Sequence, residues 1–176
     1  PQDTDAPVVH HDVDTTAALL SQHDARDGDT WLRLFEQWER IRTPLLGSLF
    51  GPFPPVVPAA RLARILGPAE TMRFVRFAAL PARVMAHEFF HSEAARCLLL
   101  GNAMHGDVPT DAPVSGIMGY LLTMLAQDVG YPAPVGGSSA LTDALIRRGA
   151  ASGARLECGQ LVESIDVRSG RALSLI

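Results

Sequence analysis

The 176-residue sequence contains no lysine, and all fifteen of its basic side chains are arginine. A lysine amine is needed by P-loop nucleotide-binding sites, by enzymes that form Schiff bases with carbonyl substrates or pyridoxal phosphate, and by protein kinases. The residues of this chain therefore exclude these chemistries.

Cysteine is also scarce, since Cys97 and Cys158 are the two that the sequence contains. Two widely separated cysteines are too few for a disulfide framework, and no C-x-x-C pair indicates a zinc or redox site. We interpret both as small apolar side chains of the core in a reducing compartment, which predicts a cytoplasmic protein.

Charge and hydropathy argue against nucleic acid as a partner and against a membrane-spanning segment. The formal net charge is −4, and no basic cluster offers the surface that phosphate binding requires. The longest apolar stretch, residues 117–126 with its flanks, is well short of the ~20 residues that span a bilayer. Since the chain begins without Met or a signal peptide and stops within an apparent strand, we expect it to be an internal piece of a longer protein.

Apolar side chains recur at helical spacing up to about residue 129. On the helix that is predicted to start at residue 69, Met72, Val75 and Ala79 are expected to face the core. A β-hairpin follows near the end, so the fold class is α+β, mostly helical up to about residue 133. The sequence predicts helices over residues 14–22, 59–66, 69–77, 82–104 and 116–129, and a further helix that starts after Asp27 or Asp29 and has its apolar positions between residues 31 and 46.

The second predicted helix is the most strongly amphipathic element. Asp27 or Asp29 is a suitable N-cap, and Pro44 is expected to kink or split the helix because proline removes a backbone hydrogen bond. Its aromatic stripe includes Trp31 and Trp38. We favour core packing for this stripe, and a lining role in a pocket for a hydrophobic ligand remains the alternative.

Residues His87 to His91 spell H-E-x-x-H within the predicted helix 82–104. On a helix, two such imidazoles lie one turn apart on one face and can bind zinc, while Glu88 serves as the general base of a metallopeptidase. The extended H-x-x-G-x-x-H form does not follow, and a third ligand would have to be His105, Asp107 or another carboxylate. We expect no metal ligand here and keep a zinc-dependent metallopeptidase as an alternative function.

The stretch 130–176 begins with a turn into a short helix. Prolines favour extended backbone as far as Gly136 and Gly137, where the chain can turn with positive φ at little steric cost. Ser138 or Ser139 can then serve as the N-cap of the helix, with a side chain that accepts a backbone hydrogen bond.

The same stretch ends in a β-hairpin. Gly153 is expected just after the helix, in the left-handed conformation. Ile165 and Val167 then alternate with polar residues, and Ser169-Gly170 suits a two-residue hairpin turn.

This order of glycines, prolines and apolar residues resembles the phytoene dehydrogenase-like family of FAD-dependent oxidoreductases, which is related to the flavin amine oxidases. A weaker similarity in the placement of tryptophan, proline and leucine extends back to about Asp14. The residues that carry the resemblance are Gly130, Pro132, Pro134, Gly136, Gly137, Leu141, Ala144, Leu145, Gly153, Val162, Ile165, Gly170 and Arg171.

The resemblance implies that the flavin of the full-length protein accepts a hydride from a hydrophobic small molecule, with peripheral membrane contact as a further implication. Residues 1–133 would belong to the helical substrate-binding domain, and residues 134–176 would lead back into the FAD-binding domain. Val162 would lie beside the adenine and contact the cofactor through its backbone, and no catalytic residue carries over. A non-catalytic helical binding module is the remaining alternative.

Overall fold

The computed structural model describes residues 7–176, and helices account for 63% of the structure. This confirms the predicted α+β, mostly helical fold class. The chain forms two compact units, one reaching Tyr131 and the other covering Pro132–Ile176. The elements are α1 (Val13–Ser21), α2 (Ala25–Phe50), α3 (Val56–Ala79), α4 (Ala82–Phe89), α5 (Glu93–Met104), α6 (Ser115–Val129), α7 (Ser139–Ala151), β1 (Ile165–Arg168) and β2 (Arg171–Leu175).

Helices α1 and α2 pack very closely where α2 begins. Asp24 caps α2 by accepting the Arg26 N–H at 3.0 Å. A Cβ atom at Gly28 would lie 2.0 Å from Ser21 Oγ and 2.6 Å from the Ala17 carbonyl oxygen. Only a residue without a side chain permits this approach. The predicted caps of α2 were wrong, because the helix begins one turn earlier.

Aromatic side chains form the centre of the first unit. Trp31, Trp38 and Tyr120 are fully buried, and the Trp38 and Tyr120 rings meet edge to face with centroids 6.3 Å apart. Tyr120 also donates its hydroxyl to the Leu34 carbonyl at 3.1 Å. Burial of one such side chain stabilises the fold by about 1.5–3 kcal/mol. The aromatic stripe of α2 therefore packs in the core, as predicted.

Proline does not split α2. The helix continues through Pro44 to Phe50 without a break in helical geometry, and Pro44 is buried. The Ser48 hydroxyl donates to the Pro44 carbonyl at 2.8 Å. Of the two expected effects, the split was wrong, because core packing on both sides of the proline outweighs one lost backbone hydrogen bond, and the kink remains a prediction.

Helix α3 is interrupted at Gly67, whose φ of 75° and ψ of 170° separate two helical segments. This agrees with the predicted boundary between 59–66 and 69–77. The predicted buried face of the second segment was wrong, because Met72 is 70% and Val75 56% exposed while Phe74 and Phe77 are buried. The two phenylalanines bury more apolar surface, so the helix turns their face towards the core.

Helix α4 ends where the sequence predicted a continuous helix to residue 104. Phe90 is extended, with φ −117° and ψ 144°, and its side chain is 1% exposed. Ser92 then caps α5 by accepting the Ala95 N–H at 3.2 Å. The prediction was wrong because the break buries a phenylalanine and because Ser92-Glu93 is a strong helix start.

A buried carboxylate holds this break in place. Asp27 is fully buried, and its two oxygens accept the backbone N–H groups of His91 at 2.7 Å and Ser92 at 2.8 Å. These groups lie at the N-terminus of α5, where the helix dipole also favours a negative charge. Asp27 therefore joins the first turn of α2 to the start of α5.

The C-terminal turn of α6 is fixed against α2 by a second set of polar contacts. Trp31 Nε1 donates to Gln127 Oε1 at 3.0 Å, and Trp38 Nε1 donates to Asp128 Oδ2 at 3.0 Å. Arg42 lies against the same carboxylate, with Nη1 2.6 Å from Oδ2. Both indole N–H groups of α2 are thus satisfied by neighbouring residues of α6.

The second unit consists of α7 and the hairpin. Gly136 and Gly137 have φ values of 92° and 86°, and Gly153 has 83°, as predicted for the turns at both ends of the helix. Ser138 occupies the N-cap position without a side-chain hydrogen bond, so the predicted capping bond was wrong. Gly137 accepts the first backbone bond instead, from Ala140 at 3.1 Å.

The hairpin has the predicted two-residue turn. Ser169 and Gly170 have φ values of 50° and 75°, and two successive positive φ values are typical of the type I′ turn that suits hairpins. Strands β1 and β2 pair antiparallel, with a bulge between Asp166 and Val167.

Both cysteines are exposed rather than buried. Cys97 lies on α5, whose core positions are taken by Ala95, Leu99 and Ala103. Cys158 lies in the second unit, in which no described residue is buried. The interpretation of the two thiols as core side chains was therefore wrong.

We predict that Asp27→Ala lowers the free energy of unfolding by about 1–3 kcal/mol, because two N–H groups at the start of α5 lose their acceptor. Asp27→Asn, which keeps one acceptor oxygen, should lose less. Urea unfolding measures both. Asp29→Asn, on an exposed position of α2, is the control and should stay within about 0.5 kcal/mol of the parent; an equal effect of Asp29→Asn and Asp27→Ala would contradict the prediction.

We also predict that the stabilisation by Asp128 disappears in acid. Burial raises the pKa of Asp128, but hydrogen bonds from Arg42 and Trp38 outweigh it, so the pKa lies below the ordinary value of 3.8. A lowered pKa stabilises the fold above the ordinary value, and this stabilisation is lost as the pH falls through the folded pKa.

Asp128→Asn should therefore reduce thermal stability clearly at about pH 6 and little at about pH 2. Circular dichroism melting curves at the two pH values provide the measurement. Asp14→Asn, an exposed position of α1, should show no such pH-dependent difference. A deficit of the Asp128 variant that is the same at both pH values would show that the carboxylate charge is not involved.

Candidate functional site

Val162 lies just outside the hydrogen-bonded part of the hairpin. The N–H groups of Glu163 and Ser164 donate to the Ile176 carbonyl at 2.7 and 3.1 Å, so the pairing of the two chain segments extends past β1. Val162 directly precedes Glu163, and its backbone makes no hydrogen bond among residues 7–176. Its N–H and C=O groups are therefore free to bind a ligand.

The side chain of Val162 belongs to an uncovered apolar surface. It is 48% exposed, and no described residue of the second unit is buried. A two-stranded hairpin with one short helix is too small to cover its own apolar residues. The other exposed large apolar residues of this unit are Val135, Leu141, Leu145, Ile146, Leu156, Leu161, Ile165, Val167, Leu173, Leu175 and Ile176.

The first unit contains an apolar cavity of about 540 Å³ between α2, α3 and the loop before α6. Leu45, Leu62 and Leu66 line it together with Phe74 and Val114. The volume is within the ~300–1,000 Å³ that is typical of small-molecule sites. The lining offers almost no hydrogen-bonding groups, so the cavity suits a hydrocarbon group rather than a polar molecule.

The H-E-x-x-H residues do not share one helix. His87 lies on α4, which ends at Phe89, while His91 follows the extended Phe90. The i, i+4 arrangement that brings two imidazoles to one zinc ion is therefore absent. Among the described residues, no group of three or more His, Cys, Asp or Glu side chains is placed to hold a metal ion.

Glu88 is engaged in an ion pair instead of being free as a general base. Both of its oxygens accept from Arg76, at 2.7 and 2.8 Å. The hydrogen-bonded Arg76 guanidinium holds the pKa of Glu88 below its ordinary value, despite partial burial. A carboxylate with a lowered pKa is a weaker base, so this geometry does not favour the metallopeptidase alternative.

Two contributors to this arrangement were not recognised in the sequence. The sequence pattern presents Asp27 as a candidate helix cap, and nothing in it marks Arg76. The Ser92-Glu93 pair was the available signal for the helix break that separates the two histidines. No signal in the sequence indicates that Arg76 reaches Glu88, because the pairing depends on how α3 packs beside α4.

No helix among the described residues is both long and apolar enough to cross a membrane. Comparisons with protein-family models, with curated proteins and with solved structures give no match for this chain.

We predict that the purified protein contains no stoichiometric zinc, because His91 lies beyond the end of α4 and Glu88 is paired with Arg76. Metal analysis after purification without chelators tests this, with His91→Ala and His11→Ala as paired variants. About one zinc per chain, lost in His91→Ala and retained in His11→Ala, would overturn the prediction.

Proposed function

We propose that the chain is part of an FAD-dependent oxidoreductase of the phytoene dehydrogenase-like type. In such an enzyme the flavin accepts a hydride from a C–H bond of a hydrophobic substrate. The proposal begins from the ordered residues between Gly130 and Arg171 that resemble this family. Residues 1–133 would form part of the substrate-binding domain, and residues 134–176 part of the FAD-binding domain.

The observation that carries the proposal is the backbone around Val162. The family resemblance assigns a backbone contact with the adenine to this residue, and the N–H and C=O groups of Val162 have no other partner among the described residues. An adenine edge offers one donor and neighbouring acceptors, so a residue whose backbone N–H and C=O groups are both free can pair with it. The Val162 backbone can therefore account for binding of the adenine, and not for binding of the rest of FAD.

The exposed apolar residues of the second unit support the same proposal. Leu141 and Leu145 on α7, and Ile165 and Val167 on β1, are all exposed. If this unit belongs to a larger flavin domain, the remaining sheet of that domain would cover them. The tight turns at Gly136-Gly137 and Ser169-Gly170 would then set the direction in which α7 and the hairpin enter that domain.

The apolar cavity of the first unit is the proposed place for the substrate. Its lining by Leu45, Leu62, Leu66 and Phe74 would orient a hydrocarbon group and exclude water. The bound flavin would supply the redox chemistry, and the protein would supply binding and orientation. A cytoplasmic location with peripheral membrane contact would give such an enzyme access to a hydrophobic substrate.

This chain by itself should bind FAD weakly. A dinucleotide is held mainly through its pyrophosphate, by a glycine-rich turn between a strand and a helix, and residues 1–176 contain no G-x-G-x-x-G sequence. Backbone bonds from Val162 contribute about 0.5–1.5 kcal/mol each, against an association cost of at least ~4 kcal/mol. The balance is unfavourable without the rest of the flavin domain.

We therefore predict that titration of this chain with FAD gives no saturable change in flavin fluorescence, while the full-length protein purifies with bound flavin. In the full-length protein, Val162→Pro removes the backbone N–H and should weaken FAD binding by about two- to tenfold. Val162→Ala is the matched control, because it keeps the backbone groups and should bind FAD nearly as the parent does.

A full-length protein that stays colourless and cannot be reconstituted with FAD would overturn the proposed function and favour a non-catalytic binding module. Equal FAD affinity of Val162→Pro and Val162→Ala would overturn the role of the Val162 backbone alone.

A further inference from the structure

A second cavity of about 440 Å³ lies between α2, α3 and α4 of the first unit, and its rim is rich in arginine. Four guanidinium groups line it, those of Arg33, Arg40, Arg73 and Arg76, together with two carboxylates. The chain as a whole carries a formal charge of −4. Positive charge is therefore concentrated locally at this cavity.

Two of these guanidinium groups already have carboxylate partners, and two do not. Arg73 pairs with Glu70, and Arg76 pairs with Glu88. Arg33 donates to the neutral hydroxyl of Thr30 at 2.8 Å and has no carboxylate partner among the described residues.

Arg40 is exposed and makes neither a hydrogen bond nor an ion pair within residues 7–176. Glu36 is the one lining carboxylate that lacks an ion pair among the described residues. Two uncompensated guanidinium groups thus face one uncompensated carboxylate, and the cavity has a net capacity for an anion.

The arginine-rich cavity adjoins the apolar cavity. Leu66 and Phe74 line both of them, so the two spaces are neighbours across these two side chains. One cavity offers hydrogen-bond donors that match a carboxylate, and the other offers only an apolar wall. A single ligand that fits both must combine an anionic end with a hydrocarbon body.

We propose that the first unit binds a single-chain amphiphile with a carboxylate head, such as a long-chain fatty acid. The head lies at Arg40 and Arg33 in the arginine-rich cavity, and the tail lies in the apolar cavity beyond Leu66 and Phe74. This deepens the proposed function and rests on it for its catalytic meaning, because it gives the hydrophobic substrate an anionic end. The binding itself requires no flavin.

The test uses the full chain without FAD and a fluorescent C18 polyene carboxylic acid as probe, with its uncharged methyl ester as the matched ligand. We expect the acid to bind about tenfold more tightly than the ester, because only the ionised acid carries a negative charge that pairs with the guanidinium groups. Arg40→Gln should remove most of this difference, because it lowers the affinity for the acid and leaves the affinity for the ester unchanged.

Control variants separate this site from general charge and from folding. Arg64→Gln lies on an exposed part of α3 outside the arginine-rich cavity and should leave the affinity for both ligands unchanged. Ala78→Phe places a larger side chain in the wall of the apolar cavity. It should lower the affinity for the acid and for the ester by similar factors. Arg33→Gln provides a second head-group variant if Arg40→Gln alters the melting temperature.

Several outcomes would overturn the proposal: no saturable binding of the acid, equal affinity for acid and ester, or equal effects of Arg40→Gln and Arg64→Gln. Binding to anionic phosphatidylglycerol vesicles that depends on Arg40, without binding of the monomeric acid, would assign these arginines to a membrane surface instead. A full-length protein that contains no flavin would overturn the proposed enzymatic function, but fatty-acid binding by this chain would still stand. The failure of one proposal is therefore distinguishable from the failure of the other.

Discussion

The carboxylate of Asp27 is the contact on which the arrangement of the first unit depends. It is fully buried on α2 and accepts two backbone N–H groups, from His91 and Ser92, where the chain leaves α4 and begins α5. A buried carboxyl group is tolerated only when its oxygens accept hydrogen bonds. The requirement fixes the position of the break, which in turn allows Phe90 to enter the core between the two helices. Together with the burial of Phe90 and the Ser92 cap, this acceptor sets where α5 begins and separates His87 from His91.

Hydrogen bonds from α2 to the last turn of α6 fix the two helices against each other. Trp31 and Trp38 each donate an indole N–H to the last turn of α6, through Gln127 and Asp128. The helices α2 and α6 are thereby fixed around a solid aromatic centre, and the two cavities lie along α2 and α3. Leu66 and Phe74 separate an apolar cavity from an arginine-rich one at this place. The unit thus has a well-packed aromatic core with cavities beside it.

Local patterns predicted the fold where local chemistry determines it. Most helices, the interruption at Gly67 and the Ser169-Gly170 turn could be predicted, since spacing and positive φ depend on neighbouring residues. The errors fall where distant residues decide. Periodicity across residues 82–104 could not show that Asp27, more than sixty positions away, would cap a break, although Ser92-Glu93 was a usable signal. A pocket for a hydrophobic ligand was an open alternative in the sequence, but the position and lining of the cavities could not be predicted, because they arise from how whole helices pack. The assignment of Val162 remains a prediction that rests on resemblance.

The second unit keeps its shape by a different means from the first. Its turns at Gly136, Gly137 and Gly153 use positive φ values that glycine adopts without strain, and the hairpin closes through a type I′ turn. None of its described residues is buried, so packing contributes little and local backbone preference determines its conformation. The apolar side chains of Leu145, Val162 and Ile165 are all left exposed. A preformed turn and an uncovered apolar face are both useful to a segment that completes a larger sheet, because ordering costs less when the backbone is already set.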